Sequence, residues 1–339
     1  MFRRFIYKLG ILIMMLLISG CNNSNSASTE EKLEDSEPMI VDSHRGKTLM
    51  ETNCYICHNP SLLEHNGRIG PPMIAIKARY LMDEPTKEEF IAGLWNFLDK
   101  PDLEKAKMKG AIEKFGLMPY QPFKKEDIEM IGEYLYEFEI EEPVWFKAHW
   151  REIHPNRAYR NQGKKVVSSK ALSAGEIGLT YATETKKVLG MKLMGTIQKQ
   201  GLKEALSFCN AQALQLTDSM AASFGATIRR ISDKPRNQLN KANEAELKHI
   251  GYYKSAITNK HTLEPIVEET NEDVHFYYPI VTNDLCLKCH GSIENDIQPD
   301  LLSEIKSHYP EDMAVEYGVN EVRGIWSISF QKDEKKKPE

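Results

Sequence analysis

Cysteine is scarce in this chain, six residues in 339, which excludes the disulfide-dense scaffolds of small secreted domains. Beyond residue 20 no apolar run approaches the roughly 20 residues needed to cross a bilayer, so no spanning helix is expected there. Positive charge is in deficit as well. The formal charge is -5, from 44 basic and 49 acidic residues; without Arg3, Arg4 and Lys8 near the N-terminus the balance is 41 against 49, or -8. A balance of that sign argues against a nucleic-acid partner. The apolar share of 41% and charged share of 27% are ordinary for globular protein, and the length suits two domains.

Four of the six cysteines fall into two copies of one pattern, Cys54-Tyr55-Ile56-Cys57-His58 and Cys286-Leu287-Lys288-Cys289-His290. C-x-x-C-H is the attachment signature of c-type haem. Two thiols reach the two vinyl groups of one porphyrin, and the imidazole that follows turns beneath the ring to bind iron. A thioredoxin-like redox pair, a zinc site and a structural disulfide are the competing readings, and each leaves the adjacent histidine accidental. Two copies in an exported chain favour two covalently attached haem c groups, on Cys54 and Cys57 and on Cys286 and Cys289, with His58 and His290 as iron ligands. Haem propionates make the chain more negative still.

Residues 1–20 combine a basic start, an apolar run over 9–18 and a small-residue end, the pattern of an export signal rather than a spanning helix. The run closes in Ile18-Ser19-Gly20-Cys21, which resembles the lipobox of bacterial lipoproteins. That resemblance implies that Cys21 becomes the lipidated first residue of the mature protein, anchoring it to a membrane in the bacterial periplasm; ordinary cleavage nearby, with Cys21 unmodified, is the alternative. Residues 21–42, rich in Asn, Ser and Glu, have little to bury and read as a flexible tether. With Cys21 on lipid and four cysteines on haem, Cys209 stands alone and no structural disulfide remains to be formed.

From about Ser43 the chain turns helical. Gly46, Met50, Cys54 and Cys57 lie at helical spacing, which puts both thiols at the end of a helix and on one side of it. Ile128, Ile131, Leu135 and Phe138 form a second amphipathic stripe, with Gly132 available for close packing, so two helices bracket the haem. Residues 43–150 resemble an all-α class I cytochrome c domain in Cys54, Cys57 and His58, in Gly70-Pro71-Pro72, and in Met118-Pro119 ahead of the last helix. The resemblance implies that the proline after the glycine offers its carbonyl to His58, and that Met118 supplies sulfur to the opposite face of iron. Met73, Met82, Met108 and Met130 are rivals, since methionine is far more often core filler than ligand. A His-Met pair raises the haem potential and leaves no open position for chemistry. Residues 151–170 read as a linker, following the aromatic group Trp145, Phe146 and Trp150; His149 and His154 have solvated or packing roles here.

The second half opens with a helical pattern over 171–200, broken by Gly201. Leu202, Leu206, Cys209, Ala213, Leu216 and Met220 then alternate at spacings of four and three, predicting one helix with Cys209 facing a core. Strands are expected over 226–231, 275–281 and 325–330, giving an α+β domain with long N-terminal helices and an antiparallel sheet. Several linked motifs follow: Arg229-Arg230-Ile231-Ser232, Lys234-Pro235-Arg236-Asn237, Tyr278-Pro279-Ile280, the second C-x-x-C-H with Gly291, Tyr309-Pro310-Glu311-Asp312 and Arg323-Gly324. Together, over residues 171–330, they resemble a PAS-like c-haem domain, a family catalogued largely as a domain of unknown function and found alone or as the sensory part of bacterial signalling proteins. The resemblance implies haem inside a PAS-like pocket, with Cys209 opposite His290 on iron. Thiolate ligation would lower the potential. Residue type alone makes a lone cysteine on an apolar face a small buried hydrophobe; His249, His261, His275 and His308, or a vacant sixth position, are the other readings. Arg229, Arg230, Lys234 and Arg236 read either as a solvated face or as propionate partners, with Arg230 or Arg236 the candidates because guanidinium forks bind carboxylates bidentately. Residues 331–339 form a charged tail.

The multidomain organisation points to a lipid-anchored dihaem cytochrome exchanging single electrons with redox partner proteins, and not to a catalyst. A haem-based redox or gas sensor is the second reading; with only a short charged tail after residue 330, it would act through a separate signalling partner. A dihaem peroxidase ranks below both, since it needs a peroxide-accessible iron beside an acid-base group and neither half resembles the two cytochrome-like halves of such enzymes.

Overall fold

Two helices cross at a glycine to begin the first half. In the computed structural model, which describes residues 40–41, 44–60, 68–166 and 171–332, β1 (Ile40–Val41) leads to α1 (Arg45–Asn53), α2 (Met73–Asp83), α3 (Lys87–Leu98), α4 (Lys109–Phe115) and α5 (Lys125–Glu137). The export signal, Cys21, nearly all of the tether and the tail from 333 lie outside the described residues. The expected stripe of Ile128, Ile131, Leu135 and Phe138 is buried throughout. A Cβ on Gly46 of α1 would run into the Met130 carbonyl of α5, so the two backbones touch there. Gly132 admits α3 in the same way: a Cβ would lie 2.8 Å from Ile91 Cγ1. Thr86 and Glu89 close a reciprocal capping box at the start of α3, whose Phe90 and Leu94 complete the core with Ile74 of α2.

Residues 151–166, expected as a linker, run along this core, with Tyr159 and Val166 partly buried against it. α6 (Phe146–Ile153) buries Phe146 and Trp150 in it, and β2 (Lys165–Val166) pairs in parallel with β1. The aromatic side chains supply apolar area, and a buried charge supplies the tie. Lys77, fully buried, donates to the Phe138 carbonyl at 2.6 Å and to Asn161 Oδ1 at 3.2 Å, while Asn161 exchanges bonds with both backbone groups of Ile140. Burial first, then the Arg160 charge, lowers the Lys77 pKa from 10.5 to about 8. Between those values the unfolded chain binds the extra proton, so stability rises with pH. Thermal unfolding of the protein is therefore expected to move upward from pH 8 to 10, by on the order of 3 kcal/mol at most, and Lys77→Met is expected to be flat over that interval. Above it, buried Tyr80 and Tyr134, whose pKa values burial raises, reverse the slope.

The second half is α+β. Ser173 and Glu176 cap α7 (Ala174–Gln200), followed by α8 (Leu202–Ala211), α9 (Ala213–Phe224), β3 (Ala226–Ile231), α10 (Glu244–Thr258), β4 (Ile266–Glu269), β5 (Asp273–Val281), α11 (Asp284–His290), α12 (Pro299–His308) and β6 (Val322–Gln331). The sheet is antiparallel in the order β3-β6-β5-β4. Ala182 and Leu189 of α7 and Ala221 of α9 pack on Ile228, Phe276, Trp326 and Ile328 on one face. Ile250 and Tyr253 of α10 pack on Ile231, Tyr277 and Ile325 on the other. Edge strand β4, too short to announce itself in the sequence, is fastened by Ile266 N donating to the Tyr253 hydroxyl at 3.1 Å.

The single helix expected over 202–220 is two. It breaks at Gln212, where φ is -121°, and Cys209 does not face the core: it is exposed while Ala205, Leu206 and Phe208 are buried. The apolar stripe belongs to two shorter helices, α8 against α12 through Leu206, Leu301 and Ile305 and α9 against the sheet. Cys209 therefore stands at the margin of the α8 stripe.

Candidate functional site

The first motif folds by local hydrogen bonds. The amide of Cys54 closes α1 on the Met50 carbonyl at 2.8 Å, and the amides of Cys57 and His58 both donate to the Cys54 carbonyl, at 3.1 and 2.9 Å. The thiols thus lie in a tight turn just past the helix, and the turn brings the imidazole back under them. His58 Nδ1 is 2.7 Å from the carbonyl of Pro71. A carbonyl only accepts, so Nδ1 carries the proton and the lone pair of Nε2 is free to bind a metal. Gly70 lets that loop pass close: a Cβ would stand 3.2 Å from both Cε1 and Nδ1 of the ring. Burial lowers the imidazole pKa, with the Pro71 carbonyl opposing it, which keeps the ring in its neutral, ligating form.

The second motif reaches the same result on a different frame. Asn283 caps α11, accepting from the amide of Cys286 at 3.1 Å and from its thiol at 3.2 Å. His290 Nδ1 lies 2.7 Å from the carbonyl of Ala314, and Tyr317 N donates to the His290 carbonyl at 3.0 Å. Burial first, then Arg323 and Arg236, holds the His290 pKa well below the ordinary histidine value. The thiols move the other way: burial pushes Cys54 up to about 12 and Cys57 and Cys289 up to about 11. A thioredoxin-like pair needs a depressed thiol, and zinc needs a fourth ligand. Among the described residues no group of three or more His, Cys, Asp or Glu gathers as a metal site.

The basic cluster separates by the alternation of β3. Arg229 faces α10 and pairs with the buried Glu246 at 3.2 Å, an oxygen that also accepts from Ser327. Arg230, on the opposite face, is depressed by burial and by Arg323, with Cys209 and Tyr309 acting against them. Lys234 donates to the Val315 carbonyl at 2.6 Å. Arg236, expected as a propionate partner, pairs with Asp312 at 3.0 Å and donates to the carbonyls of Cys289 at 2.6 Å and Ala314 at 3.3 Å, while its Nε is buried without a hydrogen-bond partner. Its charge is neutralised in place, and it braces the loop that holds His290.

Arg323, which the sequence offers only as half of the Arg323-Gly324 motif and without a role, joins Arg230 here. The β5–β6 register slips between Ile280 opposite Gly324 and Val281 opposite Val322, which makes Arg323 the extra residue of a bulge and re-aims its side chain. Its Nε is buried without a hydrogen-bond partner. Neither Arg230 nor Arg323 has a carboxylate among the groups that act on it. Two partly buried, mutually repelling guanidiniums with no carboxylate acting on them are costly alone, and they are donors that a dianionic ligand edge would engage.

Cys209 shares this neighbourhood. It has accessible surface, yet protein atoms crowd it enough for burial to raise its thiol, with Arg230, Arg323 and Arg236 pulling it down. Of the histidine rivals, His249 stacks on Tyr277 and meets Glu268 at 3.3 Å, whereas His308 stays beside Cys209, with Nδ1 3.4 Å from Asn210 Nδ2 and Nε2 3.4 Å from Glu304. His275 sits within the β5 ladder opposite Ser329, and His261 is exposed. Met118 lies half-buried in the irregular stretch between α4 and α5, whereas Met73 is core and Met82 and Met108 pack against it. Three residues on from Met118, Gln121 accepts from Asn283 Nδ2 at 2.7 Å, joining the Met118 stretch to the cap of α11. The groove between α3 and α5, about 820 Å³ and lined in part by Ile91, Trp95, Met130 and Glu133, contains no motif residue.

No curated protein matches the chain. Among solved structures, that of the cyanobacterial heme-protein Tll0287 is similar at 21% identity and a TM-score of 0.36, over 48% of this chain and 98% of that one. The family model described as Tll0287-like matches residues 154–331, which span His290, Cys209 and every arginine discussed above. That match takes in 178 of 339 residues, and the chain belongs to the Tll0287-like family.

Proposed function

We propose that this chain is a lipid-anchored dihaem c-type cytochrome carrying single electrons outside the cytoplasm. Cys54, Cys57, His58 and Met118 would hold one haem in a cytochrome c domain; Cys286, Cys289, His290 and Cys209 would hold the other in a PAS-like domain, with Arg230 and Arg323 toward its propionates. The observation that carries the reading is the matched pair of imidazoles, each presenting Nε2 because Nδ1 is spent on a carbonyl 2.7 Å away, at Pro71 and at Ala314. The family takes its name from a heme-protein, which supports haem in the matched half. Iron porphyrin supplies exchange between ferric and ferrous states. The chain's residues set its level: methionine opposite histidine raises the potential, and thiolate opposite histidine lowers it.

Protein from a host competent in cytochrome maturation is expected to be red and to carry the mass of two haems per chain. Met118→Ala should alter the spectrum of the first haem alone and Cys209→Ala that of the second alone, and the second midpoint should lie below the first. A colourless, folded product would end the reading. Rapid carbon monoxide binding at the reduced second site, with a change in partner binding, would replace electron carriage by sensing.

A further inference from the structure

Helix α7 lies against the first motif. A Cβ on Gly190 would stand 2.8 Å from Cγ2 of Ile56, which sits between Cys54 and Cys57. Met191, the next residue, receives Asn59 Nδ2 on its sulfur at 3.7 Å, and one turn earlier Lys186 reaches the Thr52 carbonyl at 3.5 Å. The cap of the second motif, Asn283, is bonded to Gln121 of the first half. Burial lowers the Lys186 pKa, and the groups that oppose it are Cys286, Cys57 and Cys54, drawn from both motifs, with no carboxylate among them. The neighbouring Lys187, by contrast, has its own partner in Glu184 at 3.0 Å.

On a porphyrin the thioether edge lies opposite the propionate edge. An ammonium among Cys54, Cys57 and Cys286 is therefore remote from the propionates and stands at the thioether edge of each ring. We propose that Lys186 is an electrostatic residue shared by both haem sites, one partly buried cation that favours the ferrous state at each iron. The inference rests on the dihaem reading. Adding an electron lowers the charge of either ring, a nearby cation stabilises that state, and low-dielectric surroundings strengthen the effect. Because one charge serves both sites, both midpoints depend on it.

The test is spectroelectrochemical titration of the full chain at pH 6, with haem counted per chain by mass in every sample. In Lys186→Met both midpoints are expected to fall, each by about tenfold in the reduction equilibrium, or ~59 mV for a one-electron couple. Lys186→Arg should keep both near the wild-type values. Should Lys186→Met not fold, Lys186→Gln, which retains a donor for the Thr52 carbonyl, carries the same expectation. A fall at one haem alone, or at neither, overturns the sharing of Lys186 while leaving two haems per chain intact. A wild-type chain with fewer than two haems sinks the dihaem reading itself, and this inference with it.

Discussion

Arg236→Ala is expected to destabilise the second half by about 3 to 5 kcal/mol, because it leaves the buried Asp312 carboxylate unpaired. Both side chains of the pair are under one-tenth exposed, at 9% and 7%, so water cannot take over the lost partner. The damage does not stop at the ion pair. Asp312 Oδ1 accepts from the Ala314 amide at 2.8 Å, Arg236 reaches the Ala314 carbonyl, and that carbonyl accepts from His290 Nδ1. Freed of the brace, the carbonyl no longer fixes which ring nitrogen is protonated, and the second haem's spectrum should broaden while the first is unchanged. Urea unfolding with both spectra recorded is the measurement. Replacing both partners with apolar residues, Arg236→Met with Asp312→Leu, should recover much of the stability but not the spectrum, since it removes the unpaired charge and still releases the loop. A single Arg236→Ala variant within 1 kcal/mol of wild type would contradict the bracing role.

The second large effect belongs to Gly46. Alanine in a helix interior is ordinarily better than glycine by about 1 kcal/mol, and Gly251, in the middle of α10 with nothing within 4 Å of its added Cβ, should show that gain. At Gly46 the sign reverses. The added carbon meets the backbone of Met130, which has no rotamer to turn aside, so α1 and α5 must separate and the packing of Met50, Ile131 and Leu135 opens with them. Gly46→Ala should cost about 3 kcal/mol, at the upper end of overpacking penalties, and impair haem attachment at Cys54 and Cys57 before that at Cys286 and Cys289. Thermal unfolding of the two variants side by side decides the matter: equal gains at both positions would mean that the helices do not depend on this crossing.

Much of this architecture is legible in the residues. The stripe on α5, the strand Ala226–Ile231 and the alternation of Trp326, Ile328 and Phe330 emerge as read, because each repeats at the period of its own element. Where the reading fails, a distant segment is responsible. Residues 151–166 look like polar linker until Lys77, far back in α2, is seen to take one of its acceptors, Asn161 Oδ1, from them. The stripe across 202–220 has helical spacing throughout, but no spacing rule reveals that α12 claims one part and the sheet another.

The sequence by itself determined the local geometry of the two motifs. Two thiols and an imidazole within five residues are held together by the covalent chain, and neighbouring backbone bonds suffice to fold them. It also determined that Arg229 and Arg230 point apart, since strand neighbours alternate. Only the tertiary structure decided which of the cations has an anion. Arg229 found Glu246 and Arg236 found Asp312, while Arg230 and Arg323 were left to repel each other and Lys186 was brought to the Thr52 carbonyl beside the first motif. A charge in water is indifferent to its place in a sequence. Once buried, what it does is fixed by the groups that desolvate it, and those arrive from segments tens of residues away.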